Sequence, residues 1–252
     1  MTKRCCMIAL LLLVVSAAGV SADAVDDEFS SANRFYEKKD YASAIRLYRS
    51  ILVQGGESAA LYFNLGNAYF KSGDIGRAVL YYMKARRLDP TDRDIIDNLA
   101  FARRFSRVQM EGVQLNPINS FFVSLVDEYR LADLAWLSSA VFVLLMLLLI
   151  ARFGFAVAGP MIRMSLVVAV VLLVAAATLT AFKYRHDYLT RRAVVIAEES
   201  PVYTGPSPRS DVELQGAPGL VVEIIEDSGD YYNVLFENKR RGWIEKEFVA
   251  EI

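Results

Sequence analysis

Few residues in this 252-residue sequence have side chains that could make or break bonds, and none has a catalytic spacing. Cys5 and Cys6 both lie in the first apolar run, so the chain after it has no thiol for catalysis, metal binding or a disulfide. The one histidine, His186, lies just after the end of another apolar run, where a membrane-surface position fits better than a ligand site, which needs several convergent groups. Glu198 and Glu199 fit solvated charges at a strand end. We expect no catalytic residue, no metal, no cofactor and no enzyme activity.

Side chains suited to recognition recur instead at a fixed spacing. Asn33 and Asn67 stand 34 residues apart, and so do Tyr36 and Phe70. Asparagine amides together with an arginine, here Arg104, can hold the backbone or the carboxylate of a peptide. The alternative is that these asparagines simply face water. The candidate peptide-binding residues are Asn33, Tyr36, Phe63, Asn67, Phe70 and Arg104.

The elements that position these side chains repeat with a period of 34 residues. Ala44 aligns with Ala78, and Tyr48 with Tyr82. The segment 62–90, with its small residues, its Gly-Asp turn and its closing Asp-Pro, resembles the tetratricopeptide repeat, a pair of antiparallel helices. The resemblance implies stacked helix pairs whose first helices line a concave face. A third, incomplete unit is expected to form a single capping helix with a polar outer side.

The N-terminus has the pattern of a secretory signal peptide. Lys3 and Arg4 precede a short apolar run, and Ala22 ends a small-residue cleavage motif. An uncleaved anchor helix is the alternative, but the run is short for a membrane span. In either case, the chain from Asp23 onward is predicted to be exported.

Two uncharged apolar runs, 134–150 and 164–182, predict a transmembrane hairpin. Because neither run contains an ionisable residue, transport is not expected. Arg152 and Arg163 flank the connecting loop and favour a cytoplasmic loop, whereas basic residues after the second run favour the opposite orientation. Because the signal peptide predicts that the preceding repeats are exported, we expect the loop to be cytoplasmic. The segment 116–133 is predicted to be an amphipathic helix, either on the membrane surface or packed under the repeats.

The last sixty residues change to short apolar runs with two-residue alternation, separated by turns rich in Gly, Pro and Asp, which predicts strands. The run Gly242-Trp243-Ile244 near the end resembles bacterial SH3-like domains, some of which bind cell-wall peptides. Tyr203 and Tyr231 are candidates for an exposed binding surface. The strands are expected to form a small barrel. Trp243 is expected in its core, because a barrel of this size has few other large side chains to bury.

These features predict a multidomain membrane protein: an all-α tetratricopeptide repeat region, a two-helix transmembrane hairpin and a small all-β SH3-like barrel. The predicted boundaries are 1–22 for the signal peptide, 23–115 for the repeats with the capping helix, 116–133 for the juxtamembrane helix, 134–151 and 164–183 for the transmembrane helices, and 193–252 for the barrel.

This order of segments resembles the BatE-like family of the Bacteroides aerotolerance (Bat) operon. The resemblance implies a place beside membrane-anchored von Willebrand factor A-domain proteins and a MoxR-type ATPase, in an envelope complex linked to stress or oxygen tolerance. We expect a scaffold at the outer face of a bacterial inner membrane, with periplasmic soluble parts and other envelope proteins as partners. The alternative is a protein that binds or senses peptidoglycan through the SH3-like domain. The formal net charge of -1 argues against nucleic acid as a partner.

Overall fold

The computed structural model describes residues 25–105, 123 and 125–252. Along the chain, the described residues form a group of repeated helices, a pair of long apolar helices and an antiparallel sheet. The predicted helical repeat region, two apolar helices and C-terminal sheet are therefore confirmed as elements of the fold. The predicted signal peptide 1–22 lies outside the described residues, as does the first part of the segment 116–133.

The helices of the repeat region begin at side chains that recur with the period of the sequence. Asp40 and Asp74 each accept a hydrogen bond from the backbone N–H three residues later. Ser58 and Asp92, also 34 residues apart, cap two further helices of the region in the same way. Such caps satisfy backbone donors that a helix start leaves free. The helices are α1 (25–37), α2 (Tyr41–Val53), α3 (Ala59–Ser72), α4 (Ile75–Leu88) and α5 (Arg93–Arg103).

Small residues allow the helices of this region to approach closely. Gly66 of α3 lies under the ring of Tyr82 in α4, where a Cβ would come within 2.8 Å of a ring carbon. Ala44 and Ala78 are fully buried at the equivalent place in their two repeats. The tyrosine rings therefore fill the seam between helices only because the facing residues are small.

Lys39 and Gly73 follow the ends of α1 and α3, and both have left-handed backbone conformations, with φ of 63° and 90°. A residue with a Cβ adopts this conformation less readily than glycine. We therefore expect Lys39→Gly to raise the free energy of unfolding by about 1 kcal/mol, and Gly73→Lys to lower it by a similar amount. Urea denaturation of the detergent-solubilised chain, followed by circular dichroism, measures both changes. Lys38→Gly, one residue earlier, is the control, and a gain there as large as at Lys39 would contradict the explanation.

Two helices are long and apolar enough to cross a membrane. They are α6 (Leu131–Phe153) and α7 (Pro160–Tyr184), and a π-helical turn, Arg185–Leu189, continues α7. Pro160 begins α7, since a proline fits the first helical position, where its missing N–H is not needed. The connecting loop is therefore shorter than the sequence indicated.

Polar contacts join α6 to α7 at the end nearer the repeats and the sheet. The hydroxyls of Ser138 and Thr180 lie 3.0 Å apart, and Thr180 also lies within 3.2 Å of the carbonyl oxygen of Leu134. Farther along, Leu145 and Ala169 are buried between the helices. The two helices thus form an antiparallel hairpin.

The chain just before α6 is attached to the repeats by two ion pairs. Asp127 pairs with Arg86 at 2.6 Å, and Arg130 pairs with Asp89 at 2.6 Å. Of the two predictions for the segment 116–133, these contacts favour a segment packed under the repeats. In its described part, residues 125–127 are helical and α6 begins at Leu131.

The sheet has seven antiparallel strands in the order β3-β2-β6-β5-β4-β1-β7. Val202 of β2 and Val249 of β7 belong to one core cluster, so the sheet curls over its own core. The strands are β1 (Arg192–Val195), β2 (Ser200–Tyr203), β3 (Val212–Gly216), β4 (Val221–Ser228), β5 (Tyr231–Phe236), β6 (Arg241–Glu245) and β7 (Val249–Glu251).

The prediction of a closed barrel over 193–252 is wrong, because β3 and β7 are the two edges of an open sheet. Instead of closing against β3, the β7 end of the sheet lies against the repeats. Ala250 and Ile252 pack on the helical core, and Arg87 donates to the carbonyl oxygen of Ile252 at 3.1 Å. An edge strand that is covered by a helix does not need a further strand as a partner.

The repeats and the sheet share an interface between α4 and β1. Gly76, in the first turn of α4, faces the backbone just after β1, and a Cβ there would lie 2.7 Å from Ile196 Cα. Val194 of β1 is fully buried in the core cluster of the helices. An ion pair of 2.7 Å between Arg103 and Glu237 adds a second connection.

Candidate protein-binding face of the repeats

The first helices of the three repeat units, α1, α3 and α5, lie side by side. Asn64 donates to Asn33 Oδ1 at 3.0 Å and connects α3 to α1, while the rings of Phe70 and Phe101, 5.6 Å apart, connect α3 to α5. We call the surface of these three helices the first-helix face. The structure places all the predicted peptide-binding residues in these helices or directly after α5: Asn33, Tyr36, Phe63, Asn67, Phe70 and Arg104.

Both predicted asparagines bind a tyrosine of the following helix. The Tyr48 hydroxyl donates to Asn33 Oδ1, and the Tyr82 hydroxyl donates to Asn67 Oδ1, each at 2.6 Å. Burial raises the pKa of Tyr48 to about 12 and raises that of Tyr82 as well, so both hydroxyls stay protonated at neutral pH. Each repeat therefore has the same Asn–Tyr hydrogen bond between its two helices.

These hydrogen bonds limit what the asparagines can offer to a ligand. The Asn33 oxygen already accepts from two donors and the Asn67 oxygen from one. Their amide N–H groups remain as donors, which suits the carbonyl oxygens or the carboxylate of a peptide. Arg104, exposed directly after α5, is a further donor on the same face.

An exposed cluster of aromatic rings lies at the α5 end of the face. The rings of Phe70, Phe101 and Phe105 have centroids 5.1 to 5.6 Å apart. Phe101 and Phe105 are 47% and 52% exposed. Solvent-exposed rings grouped in this way are typical of surfaces that bind other proteins. Sequence reasoning missed Phe105, because the corresponding positions of the two preceding repeats are the charged residues Lys71 and Glu37.

The other end of the face also carries aromatic side chains. Tyr36 packs on Tyr41, with ring centroids 5.5 Å apart, and Phe35 is 37% exposed.

In the part of the chain that the structure describes, no three His, Cys, Asp or Glu side chains group together as a metal site. The face thus offers rings, amide donors and a guanidinium, which are groups for recognition.

We expect Tyr82→Phe to lower the free energy of unfolding by about 1 kcal/mol, because it deletes the hydrogen bond to Asn67 and keeps the ring. Tyr81→Phe is the matched control: its ring also stacks, on Tyr69 at 5.4 Å, while its hydroxyl has no hydrogen-bond partner among the described residues. Urea denaturation of the detergent-solubilised chain compares the two. Equal losses for both variants would show that the Asn–Tyr bond contributes nothing.

In the sheet, the structure brings the two predicted surface residues together. The rings of Tyr203 and Tyr231 meet edge to face, with centroids 6.1 Å apart. Tyr231 is only 9% exposed and donates to Glu245 at 3.2 Å, so little of its ring is available to a ligand. Trp243 is only partly buried and lies outside the core cluster, contrary to its expected core position. The reason is that valine, isoleucine and phenylalanine side chains already fill that core.

Residues 59–92 match the tetratricopeptide repeat family. The chain contains a tetratricopeptide repeat. The match covers α3, α4 and the cap of α5, and it includes Phe63, Asn67 and Phe70 of the first-helix face. Stacked tetratricopeptide repeats form extended surfaces that bind other proteins, so a role in protein–protein interaction is supported. No curated protein matches the sequence of this chain.

Proposed function

We propose that this protein is a membrane-anchored scaffold that binds another envelope protein through the first-helix face and performs no catalysis. The observation that carries the proposal is the exposed aromatic cluster, Phe70, Phe101 and Phe105, on a chain that contains a tetratricopeptide repeat. An extended or helical segment of a partner would place apolar side chains on these rings. Arg104 and the asparagine amides would bind its carbonyl or carboxylate oxygens.

The hairpin of α6 and α7 supports membrane anchoring. Most of its large apolar side chains point outward and are exposed, which a soluble protein would avoid. Trp136 and Tyr184 lie at the end near the soluble parts and are 75% and 47% exposed, which suits aromatic residues at a membrane surface. Arg152 and Arg163 lie at the opposite end, which would face the cytoplasm if the predicted signal peptide exports the repeats.

The contacts between the parts support a scaffold in which the face has a defined orientation to the bilayer. The pairs Asp127–Arg86 and Arg130–Asp89 attach α4 to the chain entering α6. On the other side, α4 packs against β1 through Gly76. A partner bound to the repeats would therefore be held at a fixed height above the membrane.

We further propose that the sheet is an SH3-like module and that the partners belong to a Bat-type envelope complex, with von Willebrand factor A-domain proteins as the first candidates. The order of the segments supports this part of the proposal. Peptidoglycan binding through the sheet is the alternative function. It has less support, because Tyr231 is buried and the ring beside Tyr203 on the neighbouring strand, that of Trp243, is itself partly buried.

The binding experiment uses the full chain in nanodiscs and purified von Willebrand factor A-domain proteins of the Bat type. We expect the double substitution Phe101→Ser and Phe105→Ser to weaken binding at least tenfold, because it removes the two exposed rings of the cluster. Val53→Ser is the control, since Val53 is 89% exposed on α2 and lies away from the face. Unchanged affinity in the double variant would exclude the first-helix face. Cosedimentation with purified cell wall that depends on Tyr203 would favour the alternative function.

A further inference from the structure

A charged cavity lies where α4, the end of α7 and the sheet meet. Its volume is about 230 Å³, many times the roughly 10–15 Å³ that a single water requires. None of the residues named for partner binding on the first-helix face lines it, although α5 contributes Arg103 to its wall. Three ion pairs contribute to its wall: Arg86–Asp127, Arg103–Glu237 and Lys183–Asp187.

Two further cations line this cavity, and neither forms an ion pair with an Asp or Glu side chain among residues 25–105 and 125–252. Arg87 donates to the main-chain oxygen of Ile252 at 3.1 Å, and its Nε is buried without a hydrogen-bond partner. Arg192 donates to the main-chain oxygen of His186 at 3.3 Å. The described wall therefore has an excess of positive charge.

This arrangement is costly unless an anion balances it. Charged side chains that leave bulk water are normally paired, because an unpaired charge loses its hydration without compensation. Burial lowers the pKa of Arg192; the negative charges of Asp187 and Asp127 oppose this shift, and the smaller effects of Arg87 and Arg86 add to it. The two guanidinium groups thus repel one another across a space large enough for a small anion.

We propose that this cavity binds a phosphate group, held by the guanidinium groups of Arg87 and Arg192. Arginine suits phosphate because its planar group donates two parallel hydrogen bonds to a pair of phosphate oxygens. The unused Nε of Arg87 is one such donor. Lys183 and His186, at the end of α7, line the same cavity, so the headgroup of a phospholipid in the adjoining leaflet could enter it as readily as free phosphate.

The test uses the full chain in a neutral detergent and has two arms. In the first, inorganic phosphate is compared with sodium chloride at equal ionic strength, and the melting temperature is measured. In the second, native mass spectrometry counts the lipids retained by chain released from vesicles of phosphatidylcholine and phosphatidylglycerol. We expect wild type to be stabilised specifically by phosphate, to retain one phosphatidylglycerol, or both.

The double substitution Arg87→Gln and Arg192→Gln should weaken this binding at least tenfold. Arg209→Gln, which removes one positive charge at an exposed site away from the cavity, should bind as wild type. An effect in the first arm alone identifies free phosphate as the ligand, and an effect in the second alone identifies the lipid headgroup. If wild type shows neither effect, or if the double variant binds as wild type does, the proposal is wrong. If the double variant fails to fold, the absence of both effects in wild type still shows that the proposal is wrong.

Discussion

Gly76→Val is expected to lower the free energy of unfolding by about 3 kcal/mol and to separate the sheet from α4. A Cβ at this position would meet Ile196 Cα at 2.7 Å and the carbonyl oxygen of Val195 at 2.9 Å. Both are backbone atoms, which cannot rotate away as a side chain does, so the helix and the strand must move apart. Chemical denaturation measures the loss of stability. Amide hydrogen exchange should show faster exchange in β1 and β7 than in α3.

Ala42→Val is the matched control for this substitution. Ala42 is the residue that corresponds to Gly76 in the preceding repeat, at the second position of α2, and it is exposed. Valine there costs only the small helix-propensity difference of about 0.5 kcal/mol. Similar losses for the two variants would mean that the contact between α4 and β1 does not hold the modules together.

Lys183→Met is expected to destabilise the chain by about 3–5 kcal/mol, because it leaves Asp187 charged, buried and unpaired. Lys183 Nζ and Asp187 Oδ2 lie 3.0 Å apart, and the two side chains are only 5% and 10% exposed. Adding Asp187→Leu to Lys183→Met should recover most of the loss, because the double variant leaves no unpaired charge. Thermal unfolding in detergent compares the single and the double variants.

The exposed ion pair of Arg191 with Glu251 provides the contrast. Its atoms are closer, at 2.7 Å, but both side chains are about half exposed, at 46% and 45%. Arg191→Met should therefore cost less than about 1 kcal/mol, since water screens such a pair. If Lys183→Met were as mild as Arg191→Met, the burial of the first pair would have no energetic consequence.

The repeat region was predictable because its signals are local and recur. The caps at Asp40 and Asp74 fix where the second helices start, and the small residues Gly66 and Ala78 mark where helices meet. The Asn–Tyr bonds were also visible in principle, since Asn33 and Tyr48 have the same separation as Asn67 and Tyr82. Identifying them requires knowing which side chains face each other across the pair, which periodicity alone does not give.

The arrangement of the modules was not predictable, because it depends on contacts between distant segments. A barrel was expected where the structure has an open sheet, since nothing in the strand pattern reveals that the repeats cover β7. One residue held a clue. Positions 42 and 76 are equivalent in the two repeats, but the first is alanine and the second is glycine. Only position 76 is covered by the sheet. Similarly, Arg87 and Arg192 are far apart in sequence and line the same cavity only through this packing.

Photo-crosslinking in living cells tests most directly whether the first-helix face binds a protein while the hairpin holds the chain in a bilayer. A photoreactive phenylalanine analogue replaces Phe101 on the face or, as the control, Val53 on α2, both of which are exposed. We predict that Phe101 gives a discrete adduct with one other envelope protein, that the adduct stays with the membranes after alkaline carbonate extraction, and that Val53 gives none. Adducts of equal yield from both positions, or a chain that carbonate releases into the soluble fraction, would contradict the account.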